Sequence, residues 1–327
     1  RIVHPASSRS TGLGELIRDR PLAREIDEST PLRPASEWRI CGTSVPKVDA
    51  RAFVVGQHLF TSDLRRPGMV FGRVLRPPAF GATLRSLDAA AARALPGVTV
   101  VHDGNFVGVT APTPHGAAEA LKHLHAEWDR TPQVGEDTLF THLNPGFTPG
   151  AKSERDAATG ELSHRSTYTV DYIAHVPLEP RAALAEWHEG RLTVWTGTQR
   201  PFGVREELAR ALRVSEENIR VVVPDTGSAY GGKHSGDAAV EAARLARAAR
   251  APVKLVWTRE EEFTWAYARP AGVMEIASRI RSDGTLVSWR HDNWNSGGSG
   301  LTCPYAVPSP RTEYHRSESP LRQGSYR

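Results

Sequence analysis

Val221-Val-Val-Pro-Asp-Thr-Gly-Ser-Ala-Tyr-Gly-Gly-Lys-His234 reads as a strand, a tight loop of small residues and the start of a helix. Glycines at 227, 231 and 232 lack the Cβ that would block a close approach, and they accept positive φ at little cost. A loop in front of a helix also presents unpaired N–H groups that suit an anion. On the loop alone, a strand–helix corner packed against another backbone is an equal reading.

Working outward from this loop, residues 219–223 form its strand and an Ala/Arg-rich helix at about 237–250 follows it. Upstream, Val204, Leu208 and Leu212 mark a helix, and residues 182–187 and 191–195 flank Glu189-Gly190 as a hairpin. Downstream, 252–258 reads as a strand, and 276–280 with 285–289 around Asp283-Gly284 as a second hairpin. Asp237 and Glu241 lie one helical turn apart and read as a solvated face, and Glu260–Glu262 reads as a turn.

Residues 51–130 form a separate pattern. A strand at 69–75 stops at Pro77-Pro78, and Asp88 is placed to cap an Ala-rich helix ended by Pro96-Gly97. Strands at 98–101 and 106–109 follow, then a helix with Ala118, Leu121, Leu124 and Trp128 on one face. His123 and His125 on that helix would point apart. The expected organisation is an extended lead-in at 1–50 with a short helix at 13–17, an α+β domain at 51–130, a linker at 131–165 and a second domain at 166–327. The fold class is α+β, mixed α/β with antiparallel pairs.

Composition sets the limits. Of the 327 residues 39% are hydrophobic, and adding glycine while removing tyrosine gives about 46%, the ordinary globular range. No apolar run approaches the ~18 residues of a membrane helix, so no membrane span is expected in this segment. The net charge of +4 comes from scattered arginines beside only five lysines, which disfavours nucleic acid as a partner. Cys41 and Cys303 cannot supply a disulfide scaffold or the four thiolates of an iron–sulfur cluster. The chain begins at Arg1 without Met, so a targeting segment is unread and the compartment is unassigned.

The loop admits a nucleotide-binding reading, because Gly227 through Lys233 fits G-x-x-x-x-G-K. His234 then stands where a Ser or Thr hydroxyl should meet Mg²⁺, and Ser235 is one place late. The match fails at its metal-binding position. No histidine has a third partner at ligand spacing, so no protein-ligated metal is assigned.

The surroundings favour another reading. Leu192-Thr-Val-Trp-Thr-Gly-Thr-Gln-Arg-Pro201 resembles the strand and loop that precede the glycine loop in the molybdopterin-binding large subunit of molybdenum hydroxylases, the xanthine dehydrogenase/aldehyde oxidase family. Ala174-His-Val-Pro-Leu-Glu-Pro-Arg181, Pro252-Val-Lys-Leu-Val-Trp-Thr-Arg-Glu260 and Ser319-Pro-Leu-Arg-Gln-Gly-Ser-Tyr-Arg327 extend the resemblance. Pro67-Gly-Met-Val and Leu95-Pro-Gly-Val are similar to the family's a/b hammerhead domain, and Gly14-Glu-Leu-Ile to its lead-in. The resemblance runs from about residue 14 onward and implies a hammerhead-like domain followed by a truncated first molybdopterin-binding domain, a fragment lacking the C-terminal half.

By that resemblance the reaction is oxidative hydroxylation of an N-heterocycle or oxidation of an aldehyde, with water supplying oxygen and two electrons leaving through iron–sulfur clusters. The cofactor is molybdenum–molybdopterin in a dinucleotide form. The clusters belong to a separate [2Fe–2S] subunit, joined in some assemblies by a flavin or cytochrome subunit. Gln199 stands where the family aims an amide at an oxygen on molybdenum, and Gly227, Tyr230, Gly231, Gly232 and Arg327 fall at cofactor-contacting positions. The sequence departs from the family's three glycines and Phe, having Gly227-Ser228-Ala229-Tyr230 instead. His234 replaces a substrate-contacting glutamate of purine oxidisers and argues against xanthine. The family's general base is a glutamate expected beyond Arg327, so no catalytic residue is assigned. The competing expectations are a P-loop-like nucleotide-binding module and a non-catalytic assembly fragment.

Overall fold

The computed structural model describes residues 1–18, 25 and 27–326. It separates into two compact units, residues 1–57 and 58–327. In the first, β1 (Ile2–His4) pairs antiparallel with β2 (Arg9–Thr11), followed by α1 (Leu13–Leu16) and α2 (Ala50–Val54). None of its described residues is buried.

The second unit is α+β and holds three further sheets. In chain order its elements are β3 (Val70–Val74), β4 (Thr83–Asp88), α3 (Ala90–Arg93), β5 (Thr99–Asp103), β6 (Phe106–Ala111), α4 (Pro114–Lys122), β7 (His125–Asp129) and α5 (Leu139–Leu143). There follow β8 (Gly150–Arg155), β9 (Leu162–Val170), β10 (Ala182–His188), β11 (Arg191–Thr196), α6 (Pro201–Leu212), β12 (Ile219–Val222) and α7 (Asp237–Ala249). The last are β13 (Val253–Val256), α8 (Arg259–Thr264), β14 (Gly272–Ile280), β15 (Leu286–Trp294) and β16 (Arg311–His315).

A seven-stranded sheet runs in the order β12-β11-β10-β13-β3-β6-β5. It therefore joins strands of the 51–130 segment to those after 166 through the parallel β3–β13 pair, Val253 opposite Val70. The hairpin expected at Glu189-Gly190 is present, both turn residues having positive φ (46° and 77°) as a tight two-residue connection requires. Alanines make α7 thin: Ala238, Ala239, Ala242, Ala243 and Ala246 are buried with Leu245 against the sheet. Leu245 comes so close that a Cβ on Gly72 or Gly108 would lie 2.5 or 2.9 Å from its methyl carbons. Filling that contact with a larger residue would cost ~1–3 kcal/mol in overpacking. α6 adds Val204, Leu208 and Leu212 to the same core. A second core lies beside β6, where Val107, Val109 and Ala111 meet Ala92 of α3 and Ala117 and Ala120 of α4.

The structure corrects the reading of two segments. The helix expected to carry Leu124 and Trp128 ends at Lys122, and the chain from His125 onward, Trp128 included, forms β7, which pairs antiparallel with β4. Leu121, Leu124 and Trp128 are three and four apart, a spacing that mimics a helix face although the backbone is extended from 125 onward. The stretch 131–165, read as without period, holds α5 and the β8 strand, which pairs with β9 in a five-stranded sheet ordered β16-β15-β14-β9-β8. β8 is an edge strand exposed at every position, so burial imposes no alternation on it.

Candidate functional site

The loop from Val223 to Gly236 joins β12 to α7 and is held by a buried carboxylate. Glu179 accepts hydrogen bonds from Gly227 N (3.0 Å) and from Lys233 Nζ (3.2 Å), and its own N–H donates to Gly227 O (2.9 Å). Ser62 approaches the same carboxylate with N and Oγ at 3.4 Å. Lys233 is 1% exposed. Burial lowers its pKa, against the opposing pull of Glu179. Its ammonium is thus committed inward, which removes the P-loop reading: that mechanism needs the lysine to reach a phosphate.

Lys233 is also where Gln199 is fixed. The Lys233 N–H donates to Gln199 Oε1 (3.3 Å), while the Lys233 carbonyl accepts from Gln199 N (2.9 Å) and Thr198 Oγ1 (3.0 Å). With Oε1 engaged, the amide is oriented and its Nε2 has no hydrogen-bond partner among the described residues. Gln199 is exposed, so both Nε2 donors are available to an outside acceptor.

The three glycines are required by protein packing. A Cβ at Gly227 would lie 2.7 Å from Glu179 Cβ, one at Gly232 would lie 2.8 Å from the His175 side chain, and one at Gly231 (φ +87°) would lie 3.0 Å from Ser325 O. Ser228 takes φ 78° although it is not glycine, and its Oγ accepts from Leu178 N at 2.8 Å. That bond offsets part of the ~1–2 kcal/mol cost of the left-handed conformation. Tyr230 (φ 54°) is 45% exposed.

Around the loop, Arg181 links distant segments. Its guanidinium donates to Glu262 Oε2 (2.5 Å) and to Gly232 O, and lies over the rings of Trp257 and Tyr267. The Tyr267 hydroxyl accepts from His234 N (3.0 Å) and donates to Gly231 O, and burial raises its pKa. The Arg322–Asp237 ion pair (2.9 Å) and the His175–Ser325 hydrogen bond (2.5 Å) bring the 319–326 segment against the loop. These contacts border an open cleft of about 390 Å³ lined by Arg200, His234, Ser235, Tyr267, Arg322 and the 323–325 segment. Larger clefts of about 500 and 610 Å³ around Trp265 contain none of the candidate residues.

His234 therefore lines the cavity, and Gln199, Gly227, Tyr230, Gly231 and Gly232 lie on or beside the loop that bounds it. Arg327 lies outside the described residues. Glu241 and Glu262 are not solvated or in a turn: Glu241 takes a two-point bond from Arg76 and one from Trp257 Nε1, and Glu262, 3% exposed, sits in α8 under Arg181. Buried carboxylates with arginine partners leave no local pattern, so only their spatial neighbours reveal them. Asp292, Glu313 and His315 also converge, but Asp292 is already bonded by Arg290 (2.5 Å) and His315 (2.9 Å).

Residues 143–315 match the molybdopterin cofactor-binding domain. The chain belongs to this family. It is 30% identical over 302 residues to a nicotinate dehydrogenase subunit of Pseudomonas putida, an alignment that covers 87% of this chain and 25% of that protein. It is 25% identical to the nicotinate dehydrogenase large molybdopterin subunit of Eubacterium barkeri, over 85% of this chain and 78% of that one. Among solved structures, quinoline 2-oxidoreductase of Pseudomonas putida 86 aligns with a TM-score of 0.71 at 24% identity, covering 88% of this chain and 45% of that one. The aldehyde oxidoreductase of Desulfovibrio gigas aligns at 0.72 and 18% identity, over 90% and 40%. These last two show the shared fold. The chain spans a quarter of the first relative's length and about four-fifths of the second's.

Proposed function

We propose that this chain forms one wall of the molybdenum-cofactor site in an oxidoreductase that hydroxylates an N-heterocycle or oxidises an aldehyde, with oxygen drawn from water. The observation that carries this reading is the Gln199 amide, held by Lys233 with its two Nε2 donors uncommitted. An uncharged, pre-oriented donor suits an oxo ligand whose metal changes oxidation state, because it adds no charge of its own. The donor set of the wall fits such a group: a free amide and an exposed ring at Tyr230, beside a cavity lined by Arg200 and His234.

When bound, the molybdopterin centre supplies the two-electron redox chemistry. The protein's part is orientation. Gln199 donates a hydrogen bond, Tyr230 offers a ring face, and His234 meets the substrate from the cavity rim. A histidine there is less suited than a carboxylate to the N–H edges of a purine, so xanthine is a poor substrate. Two relatives are named for nicotinate, and Arg200 at the cavity suits a substrate of that kind. The cofactor is of dinucleotide form, and a [2Fe–2S] subunit, with a flavin or cytochrome subunit, accepts the electrons. No residue of this chain is assigned as the general base.

The test is to purify the full-length protein with its partner subunits and measure molybdenum, iron and pterin, then follow ¹⁸O from labelled water into product. Both metals, with label in hydroxylated heterocycle or carboxylic acid, are the expected result. Absence of molybdenum from an intact, folded complex would overturn the reading.

A further inference from the structure

A second cationic cavity lies in the sheet itself, built on Lys254 of β13. Alternation sends Val253 and Leu255 into the main core and Lys254 to the opposite face, where the residue is only 4% exposed. Its Nζ donates to Ser62 O at 2.7 Å, and no carboxylate lies within ion-pair distance among the described residues. A cavity of about 180 Å³ opens at this amine, and Arg65, Arg73, Phe71 and Ser62 line it as well. Arg65 lies over the Phe71 ring (5.6 Å), and Arg73 Nη1 donates to Val256 O (3.1 Å) while reaching Glu261 only at 3.7 Å. The other nearby acid, Asp63, accepts from Phe60 N. Three cations thus face one space whose lining contains no carboxylate.

Such a cluster favours something negative in the space, because a buried amine is joined there by two further cations, Arg65 exposed and Arg73 half-buried and shared with Glu261. The amine records this. Burial first, and then Arg65, brings the pKa of Lys254 down to about 8, against the opposing pull of Asp63. The space is small and opens to solvent on one side, with room for a small oxyanion.

We propose that this cavity binds a small oxyanion, of the size of inorganic phosphate or bicarbonate, between Lys254 Nζ and the guanidinium groups of Arg65 and Arg73. The site shares no lining residue with the cavity beside the cofactor wall. Ser62 lies between them, because its carbonyl accepts the hydrogen bond of Lys254 Nζ while its N–H and Oγ face Glu179.

The chain has only five lysines, Lys47, Lys122, Lys152, Lys233 and Lys254, so ¹³Cε-lysine labelling gives a spectrum of five side-chain signals. Lys254 is assigned by its loss in Lys254→Arg and titrated with and without inorganic phosphate, then with bicarbonate. An anion that binds the charged amine better must raise its midpoint, and a tenfold preference raises it by about one unit. The expected result is a rise of that order with either anion at about 10 mM, reduced at least tenfold in binding strength by Arg65→Ala, an exposed position whose loss leaves the fold intact. A midpoint unmoved by both anions overturns the proposal. So does an equal shift in Arg65→Ala, which would mean an adventitious ion only.

Discussion

Lys233 grips Gln199 through both backbone groups of one residue, its N–H on the side-chain oxygen and its carbonyl on the main-chain N–H. The side chain of Lys233 meanwhile pairs with Glu179 in the interior. One residue thus transmits the rigidity of a buried ion pair to an exposed amide.

If Gln199 acts as the donor proposed, Gln199→Ala should cost at most about 1 kcal/mol of stability, the worth of one ordinary hydrogen bond. In full-length enzyme kcat should fall by roughly 10–100-fold. Thermal melts and dye-reduction kinetics on the same preparation separate the two effects.

Lys233→Met should behave differently. It strands the Glu179 carboxylate in the interior, and breaking a buried pair from one side costs about 3–5 kcal/mol. Lys233→Met/Glu179→Leu should recover a large part of that loss. A denaturant double-mutant cycle reads the coupling, and strictly additive losses would deny the pair its role.

Much of this was legible in the sequence, for identifiable reasons. β11 and α6 announced themselves because burial on one face imposes a period, and Glu189-Gly190 marks the turn of the 182–196 hairpin. β4 and β8 escaped because they are mostly exposed, so nothing forced their residues to alternate cleanly, and β7, which does alternate, was masked by the helical spacing of Leu121, Leu124 and Trp128. At the site, Gln199 and His234 came from ordered motif resemblance. Glu179 and Arg181 sat inside one of those motifs, yet their partners Lys233 and Glu262 are 54 and 81 positions away, and no local pattern encodes a pairing at that distance.

Lys254 should give a signature in stability. The unfolded chain keeps the lysine proton to about its ordinary value, whereas the folded protein releases it near 8. Between those values the unfolded state holds the extra proton, so stability should rise with pH by up to ~1.4 kcal/mol per unit. Denaturant melts from pH 7 to 10 should show this slope in wild type relative to Lys254→Met. Added phosphate, bound at the anion site, should move its onset upward.

The 51–130 segment shares the seven-stranded sheet through β3, β5 and β6, and its proposed standing as a unit of its own is a division that limited proteolysis can probe. First cuts are expected in the exposed 156–161 turn between β8 and β9. Cleavage inside 60–125 before that turn would refute the division.

Residues 1–327 expressed alone under molybdenum-replete conditions should not turn over aldehydes or N-heterocycles. Loss of a general base alone removes on the order of 10²–10⁴ in rate. Robust dye reduction by this chain would place the base within it.

The parallel neighbours β3 and β13 are 183 residues apart at Val70 and Val253. On a ribosome, β3 and β6 emerge early with one edge uncovered, and that edge stays open until the chain has grown past residue 256 and cleared the exit tunnel. At ~5–20 residues per second this is an interval of roughly ten to forty seconds. Throughout it, Val70, Phe71 and Gly72 present the hydrogen-bonding groups later matched by β13, a surface on which a second nascent copy could pair. The topology thus makes the speed of synthesis between β6 and β13 a determinant of yield, and a slower stretch of codons there should increase aggregation rather than relieve it.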